Sequence, residues 1–93
     1  EEAHRKLSAL PAQLAGFQDR GVIREGSPAD IIVYDPVNLK VLPMEVVHDL
    51  PGGEWRRIQK ASGYQNVIIN GEITIENDQQ TNTFSGKLLR NGI

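Results

Sequence analysis

The chain has 93 residues, no cysteine, and ten Lys plus Arg against twelve Asp plus Glu, for a net charge of −2. That length suits one domain, and the charge balance excludes a strongly basic nucleic-acid binder and a polybasic membrane patch. No apolar run approaches the ~18 residues of a membrane span, no signal peptide opens the chain, and neither a disulfide framework nor a thiolate metal site is available, a pattern that fits the cytoplasm.

The chain opens Glu1-Glu2-Ala3 and its only methionine is Met44, so it reads as a processed or excised piece of something larger. Ala3, Leu7, Leu10 and Leu14 recur at steps of three and four, which lines one face of a helix. Glu1 and Glu2 sit where the helix dipole favours negative charge. Pro11 lacks an amide donor and clashes with the preceding turn, so it predicts a break. With Ser8 as a cap, the pattern predicts two short helices, 2–8 and 9–15, ended by Gly16.

Beyond Gly16 the texture is β. Ala29-Asp30-Ile31-Ile32-Val33-Tyr34-Asp35 is an apolar run between Pro28 and Pro36, which predicts a strand covered on both faces. Residues 36–63 are punctuated by Pro36, Pro43 and Pro51 and by the Gly52-Gly53 joint, with short extended pieces at Val41 and Val46-Val47. The strongest local signal is Asn70-Gly71 between Tyr64–Ile69 and Glu72–Glu76, which predicts a hairpin with a two-residue type I′ turn. Ile73 and Ile75 alternate with Glu72, Thr74 and Glu76, so the second arm should bury one face and wet the other. A last strand is expected at Lys87-Leu88-Leu89-Arg90.

The chemistry-bearing residues point to no active site. His4 and His48 are the only histidines, and no H-x-H or H-x-x-x-H spacing exists to hold a metal. His4 reads as a solvated or capping residue. In His48-Asp49 the carboxylate could orient the imidazole, but no nucleophile accompanies it and neighbours in an extended segment point to opposite sides. Gly26, Gly52-Gly53 and Asn70-Gly71 form no phosphate loop and read as turns. Trp55-Arg56-Arg57 with Lys60 is the one aromatic-basic cluster, read as a partly buried Trp with arginines on its wet side. Asp30 and Asp35 bracket a strand too long for them to share a site, so they are expected to satisfy backbone donors at its ends.

Three stretches together resemble a known family. They are Leu10-Pro11-Ala12, Gly16 through Gly26 with Arg20-Gly21-Val22-Ile23, and Ala29 through Asp35. They are similar to the C-terminal region of the metal-dependent amidohydrolase superfamily, where a T-x-x-P-A-x-x-x-G-L helix leads through R-G-x-I-x-x-G-x-x-A-D into a β-domain. Val47-His48-Asp49-Leu50-Pro51-Gly52-Gly53, the arm Val67–Gly71 and Gly86-Lys87-Leu88-Leu89-Arg90 resemble the N-acyl-D-amino-acid deacylase branch. Ser8, Phe17, the Asn77-Asp78 turn and Asn82–Gly86 depart from the family pattern.

The resemblance implies an α+β, mainly β chain: short N-terminal helices followed by the C-terminal part of a β-sandwich. Residues 1–16 would be terminal barrel-type helices and residues 17–93 the sandwich segment. It implies a zinc-dependent hydrolase parent cleaving the C–N amide bond of a small N-acyl amino acid. The zinc ligands and catalytic residues would lie before Glu1 at the ends of barrel strands, so no catalytic, cofactor-binding or metal-binding residue is expected in this chain. The implied partner is the remainder of the barrel, with neither nucleic acid nor membrane. Without that cover the apolar helix face and strand edges should make the chain a homo-oligomer. The alternative is a free-standing β-rich binding module that uses Trp55, Arg56, Arg57 and His48 as its contact.

Overall fold

The computed structural model of the chain describes residues 1–90. Helical structure starts with α1 (Glu2–His4), widens into a π-helical segment over Arg5–Ala9, and tightens again into α2 (Leu10–Ala15). These form one continuous rod where the sequence predicts two short helices, 2–8 and 9–15. In the wide turn the Leu10 amide reaches back to the Arg5 carbonyl. An extra residue in the turn ahead of Pro11 relieves the clash its ring would make with the i−4 carbonyl, so the helix absorbs the proline instead of ending. Gly16 closes the rod in the left-handed conformation, with φ of 85°.

The face that packs inward is also not the leucine stripe. Leu7 and Leu14 are 81% and 80% exposed. The small residues Ser8, Ala9 and Ala12 instead receive Gly21, whose backbone comes so close that an added Cβ would lie 2.7 Å from the Ala12 Cβ and 2.8 Å from the Ser8 carbonyl. Ser8 does not cap a helix; its hydroxyl donates to the Gly21 carbonyl at 2.9 Å.

Six strands follow: β1 (Ile31–Tyr34), β2 (Lys40–Val47), β3 (Arg56–Ser62), β4 (Tyr64–Ile69), β5 (Glu72–Glu76) and β6 (Gln79–Gln80). They make an antiparallel four-stranded sheet in the order β1-β4-β5-β6 and a separate antiparallel ribbon of β2 and β3. The chain is thus α+β and mainly β, as expected. The Asn70-Gly71 hairpin forms with φ of 50° and 81° at its turn residues, the signature of type I′. Asn77 and Asp78 repeat the device, at φ of 50° and 66°, between β5 and β6.

The clean alternation expected along β5 is broken. A register shift after Val67 pairs Ile75 with Val67 but Ile73 with Ile68, and leaves Thr74 as the extra residue. Ile73 is therefore 42% exposed, while the Thr74 hydroxyl turns in to donate to the Val67 carbonyl at 3.1 Å. Residues 87–90 form no strand, and Leu88 is 82% exposed. The cover expected on both faces of β1 is also missing, with Ile32 58% and Val33 39% exposed.

The short extended pieces expected at Val41 and Val46-Val47 belong to one strand, β2, paired with β3. β2 runs through Pro43 because an irregularity between Val41 and Met44 places the proline outside the paired positions. The Gln59 side chain donates to the Leu42 carbonyl at 3.1 Å across that gap. Pro51-Gly52-Gly53 forms a short 3₁₀ turn between the two strands.

Among the described residues no side chain is buried. The radius of gyration is 15.8 Å, against about 12 Å for a compact chain of this length. The accessible surface of 7734 Å² exceeds by about 2,400 Å² what a folded monomer of 10.3 kDa exposes. The secondary structure is complete, but the core that would cement it is not.

Candidate functional site

The densest polar geometry lies where the helix, the loop after it and the first strand meet. Arg20, with 18% of its side chain exposed, donates from its guanidinium to Asp30 Oδ2. The other Asp30 oxygen accepts the Asn70 amide at 2.9 Å, and the Gly71 amide donates to the Ala29 carbonyl at 3.0 Å. Arg24 donates to the Gln18 carbonyl at 3.1 Å and thereby closes the loop on itself. The hairpin turn at Asn70-Gly71 is thus clasped onto the entrance of β1 through Asp30, and Arg20 ties the helix-to-strand loop to the same carboxylate. Asn70 extends the clasp: its side-chain amide donates to the Ser85 carbonyl at 2.7 Å, and the Ser85 hydroxyl donates to the Ile69 carbonyl at 2.7 Å.

At the other end of β1, Asp35 accepts the amides of Val37 and Asn38 and the Asn38 side chain. Both aspartates therefore serve backbone donors at the strand ends, as the sequence implied. Asp78 does the same for the start of β4, accepting from the amides of Gly63 at 3.1 Å and Tyr64 at 2.8 Å. Asp78 and the Arg20–Asp30 pair carry no local sequence signal as partners, although Arg20 and Asp30 both belong to the R-G-x-I-x-x-G-x-x-A-D pattern.

His4 neither caps a helix nor stands free: its Nε2 is joined to the Tyr34 hydroxyl by a 2.6 Å hydrogen bond. Tyr34 in turn faces Tyr64, with ring centroids 6.4 Å apart. His48 is exposed, and the carboxylate that could have oriented it is engaged elsewhere. Asp49 takes a two-pronged grip from Arg56, Nε to Oδ1 at 2.7 Å and Nη2 to Oδ2 at 2.6 Å. Trp55 is 54% exposed, with the Arg57 guanidinium 5.6 Å from its ring centroid. Two open grooves flank these features. One of about 430 Å³ runs between the helix and the following loop, past Gln13, Phe17 and Arg24. The other, of about 380 Å³, lies under the Asn82–Gly86 tail. Neither gathers a nucleophile with a base.

The amidohydrolase family model matches residues 1–75, a stretch holding the helix, Arg20, Asp30 and Asn70, and the hairpin up to Ile75. The chain belongs to the amidohydrolase family. Searches of curated proteins and of solved structures gave no match. In this amidohydrolase chain the family motif does structural work: Gly21 lets the loop touch the helix, and Arg20 and Asp30 lock the loop to the sheet. The metal that the family implies does not fit the residues here. Among the described residues no three His, Asp or Glu side chains converge, and Asp30, Asp35 and Asp49 are each committed to donors. No helix among the described residues is long and apolar enough to cross a membrane.

The carboxylates of the clasp and its neighbours set a pH dependence. Asp30 is held below its ordinary 3.8, first by the Asn70 amide and then, against the opposing effect of burial, by Arg20. The Asn38 side chain and the Val37 amide lower Asp35, and Arg56 lowers Asp49. A carboxylate depressed in the folded state stabilises it fully above the unfolded value, and that contribution is lost as pH falls through the lower, folded one. Thermal melts between about pH 6 and pH 2 should hold level to about pH 4 and then decline steadily. A midpoint that rises on acidification would contradict the three contacts.

Proposed function

We propose that this chain is the C-terminal structural segment of a zinc-dependent amidohydrolase that cleaves the C–N amide bond of a small N-acyl amino acid, within the N-acyl-D-amino-acid deacylase branch. The observation that carries the reading is the family match over residues 1–75. The ordered pieces Val47–Gly53 and Gly86–Arg90 support the branch and the substrate class. The exposed leucines of the helix and the exposed Ile23, Ile32 and Val33 support a partner surface supplied by the barrel of the same enzyme. In this reading residues 1–16 brace the barrel and the strands cover one side of it. Zinc and the reacting groups belong to that barrel, and the lack of cysteine supports a cytoplasmic enzyme.

The test begins with the reading frame upstream of Glu1. A continuous frame carrying an H-x-H near its start is expected, and a start codon beside Glu1 would overturn the proposal. The product of the full frame, purified with zinc, should release free amino acid from N-acetyl-D-amino acids faster than from their L-enantiomers. The 93-residue chain alone should release none and bind no stoichiometric zinc. Equal turnover of both enantiomers would remove the branch while leaving the family.

A further inference from the structure

The clasp at Asn70-Gly71 also confines a reactive pair. An asparagine followed by glycine has its own route to chemical change, because the glycine nitrogen can attack the asparagine side-chain carbonyl with no Cβ in its way. Asn70, Asn77 and Asn82 all lie at positive φ. Asn77 and Asn82 are followed by Asp78 and Thr83, whose side chains crowd that approach, whereas Asn70 is followed by Gly71. Gly71 is exposed and nothing lies within 4 Å of its Cβ position, so a ring closing there meets no neighbour. What opposes the reaction is hydrogen bonding at both reacting groups. The Gly71 amide donates to the Ala29 carbonyl at 3.0 Å, and the Asn70 side-chain amide to the Ser85 carbonyl at 2.7 Å. A third bond, from the Asn70 backbone amide to Asp30 at 2.9 Å, fixes the residue between them.

We propose that Asn70-Gly71 is a deamidation site held in check by the clasp, and that its conversion releases the 81–86 tail from the turn. The Gly71 nitrogen bonds to Asn70 Cγ as the Cγ–Nδ2 bond breaks, and the Gly71 amide proton leaves with that nitrogen as ammonia. Water then opens the cyclic imide. Cleavage at Cγ gives aspartate, and cleavage at the Asn70 main-chain carbonyl gives isoaspartate. Both reacting groups must first let go of Ala29 and Ser85, so the reaction proceeds from the opened clasp at a rate set by its population. The product does not restore the closed form. An aspartate at this position presents an acceptor, not a donor, to the Ser85 carbonyl and brings a second carboxylate to the turn that Asp30 already holds. Isoaspartate adds a main-chain atom to a two-residue turn whose geometry sets the hairpin register. Either way the Ser85 carbonyl loses its donor, and the tail loses its tie to residue 70.

The test incubates the 93-residue chain at mildly alkaline pH, folded or in guanidinium chloride, and reads conversion at Asn70 by mass spectrometry of its proteolytic peptides. Trypsin cleaves after Arg90 and so separates Asn91-Gly92, which repeats the dipeptide outside the described residues. The folded chain should convert at Asn70 at least about thirtyfold more slowly than the denatured one. Asp30→Ala should recover at least about tenfold of that difference, and Ser85→Ala, which removes the hydroxyl bond to the Ile69 carbonyl, about threefold. Phe84 is 89% exposed, so chymotryptic cleavage after it waits on release of the backbone beside Ser85. That cleavage should run at least about tenfold faster in the deamidated chain, isolated by anion exchange, and in Asn70→Asp. Equal conversion in the folded and denatured chains overturns the proposal, as does no conversion in denaturant or a folded-state rate that neither variant alters. Unchanged cleavage after Phe84 in the deamidated chain overturns the release of the tail. If Asp30→Ala does not fold, Ser85→Ala and the unmodified chain decide. None of these outcomes bears on amide hydrolysis by the full enzyme.

Discussion

Replacing Gly63 with alanine should lower the stability of the chain by about 3–5 kcal/mol. Gly63 has φ of +108°, a conformation that a residue with a Cβ adopts only under strain. Its ideal Cβ would fall 2.7 Å from the Leu39 Cα, 2.9 Å from the Leu39 nitrogen and 3.1 Å from the Asn38 carbonyl. All three are backbone atoms, so no rotamer change relieves the overlap. The site is also where the two sheets join. The chain leaves β1 through residues 35–39 to reach β2, and returns from β3 through Gly63 to β4. The Asp35 amide donates to the Gly63 carbonyl at 2.9 Å, and the Gly63 amide donates to Asp78. An added methyl group therefore pries apart two crossing connections and strips Asp78 of one donor. Urea unfolding followed by circular dichroism gives the size of the loss, and amide exchange gives its place, with Asp35, Gly63 and Tyr64 losing protection first. Gly26→Ala is the control, since Gly26 has φ of +87° but nothing within 4 Å of its Cβ position. It should cost only the conformational part, about 1–2 kcal/mol. Equal losses at the two sites would mean that the close approach at Gly63 carries no energy.

The contrast between these two glycines also marks how far the fold is legible in the sequence. Asn70-Gly71 announces its hairpin because the turn is a local matter, settled by the φ preferences of two adjacent residues. The apolar run from Ile31 is equally local, and so is the role of Asp35, whose donors are Val37 and Asn38. Gly63 looks like any other glycine until Leu39 is seen beside it. β3 has no local signal for a related reason: Arg56-Arg57-Ile58-Gln59-Lys60 has no alternating apolar pattern, and only pairing with β2 makes it a strand. Pro11 signals helix breaking, its strongest general property, while the π-helical turn that absorbs it depends on where the helix must continue to meet Gly21. Periodicity finds the leucine face of the helix, whereas the close approach of Gly21 selects Ser8, Ala9 and Ala12. The leucine stripe reads as one apolar helix face and β1 as a strand covered on both sides, and both stand exposed. Such patterning reports the environment a segment is suited to, and here the cover is not within the chain. The family was legible because its motif residues sit at fixed spacing, but their work as a clasp follows only from Arg20, Asp30 and Asn70 meeting in space.

That clasp supplies the second large effect. Asp30→Ala should destabilise the chain by about 2–3 kcal/mol, because it leaves two kinds of donor without an acceptor. The Asn70 amide loses its bond to Oδ1, and the Arg20 guanidinium loses its partner at Oδ2. Two effects compete for the larger share. The Arg20 pair is charged on both sides, but 38% of the Asp30 side chain is exposed, so solvent screens much of that attraction. The bond from Asn70 is charge-assisted and fixes a turn residue of the hairpin, and it is also the largest influence lowering the Asp30 pKa. The backbone bond should therefore dominate. Asp30→Asn separates the two, since it keeps an acceptor for the Asn70 amide and removes the charge that holds Arg20. It should cost about 1 kcal/mol, and it should abolish most of the salt sensitivity of unfolding at this site. Arg20 already has one nitrogen, Nε, with no hydrogen-bond partner, so loss of Asp30 leaves that side chain poorly satisfied and free to turn to solvent. The loop it holds, residues 17–26, should then become the first site of tryptic cleavage, at Arg20 and Arg24. If Asp30→Asn proves as damaging as Asp30→Ala, the ion pair and not the turn contact locks the helix to the sheet. The family motif would then have to be understood as an electrostatic device.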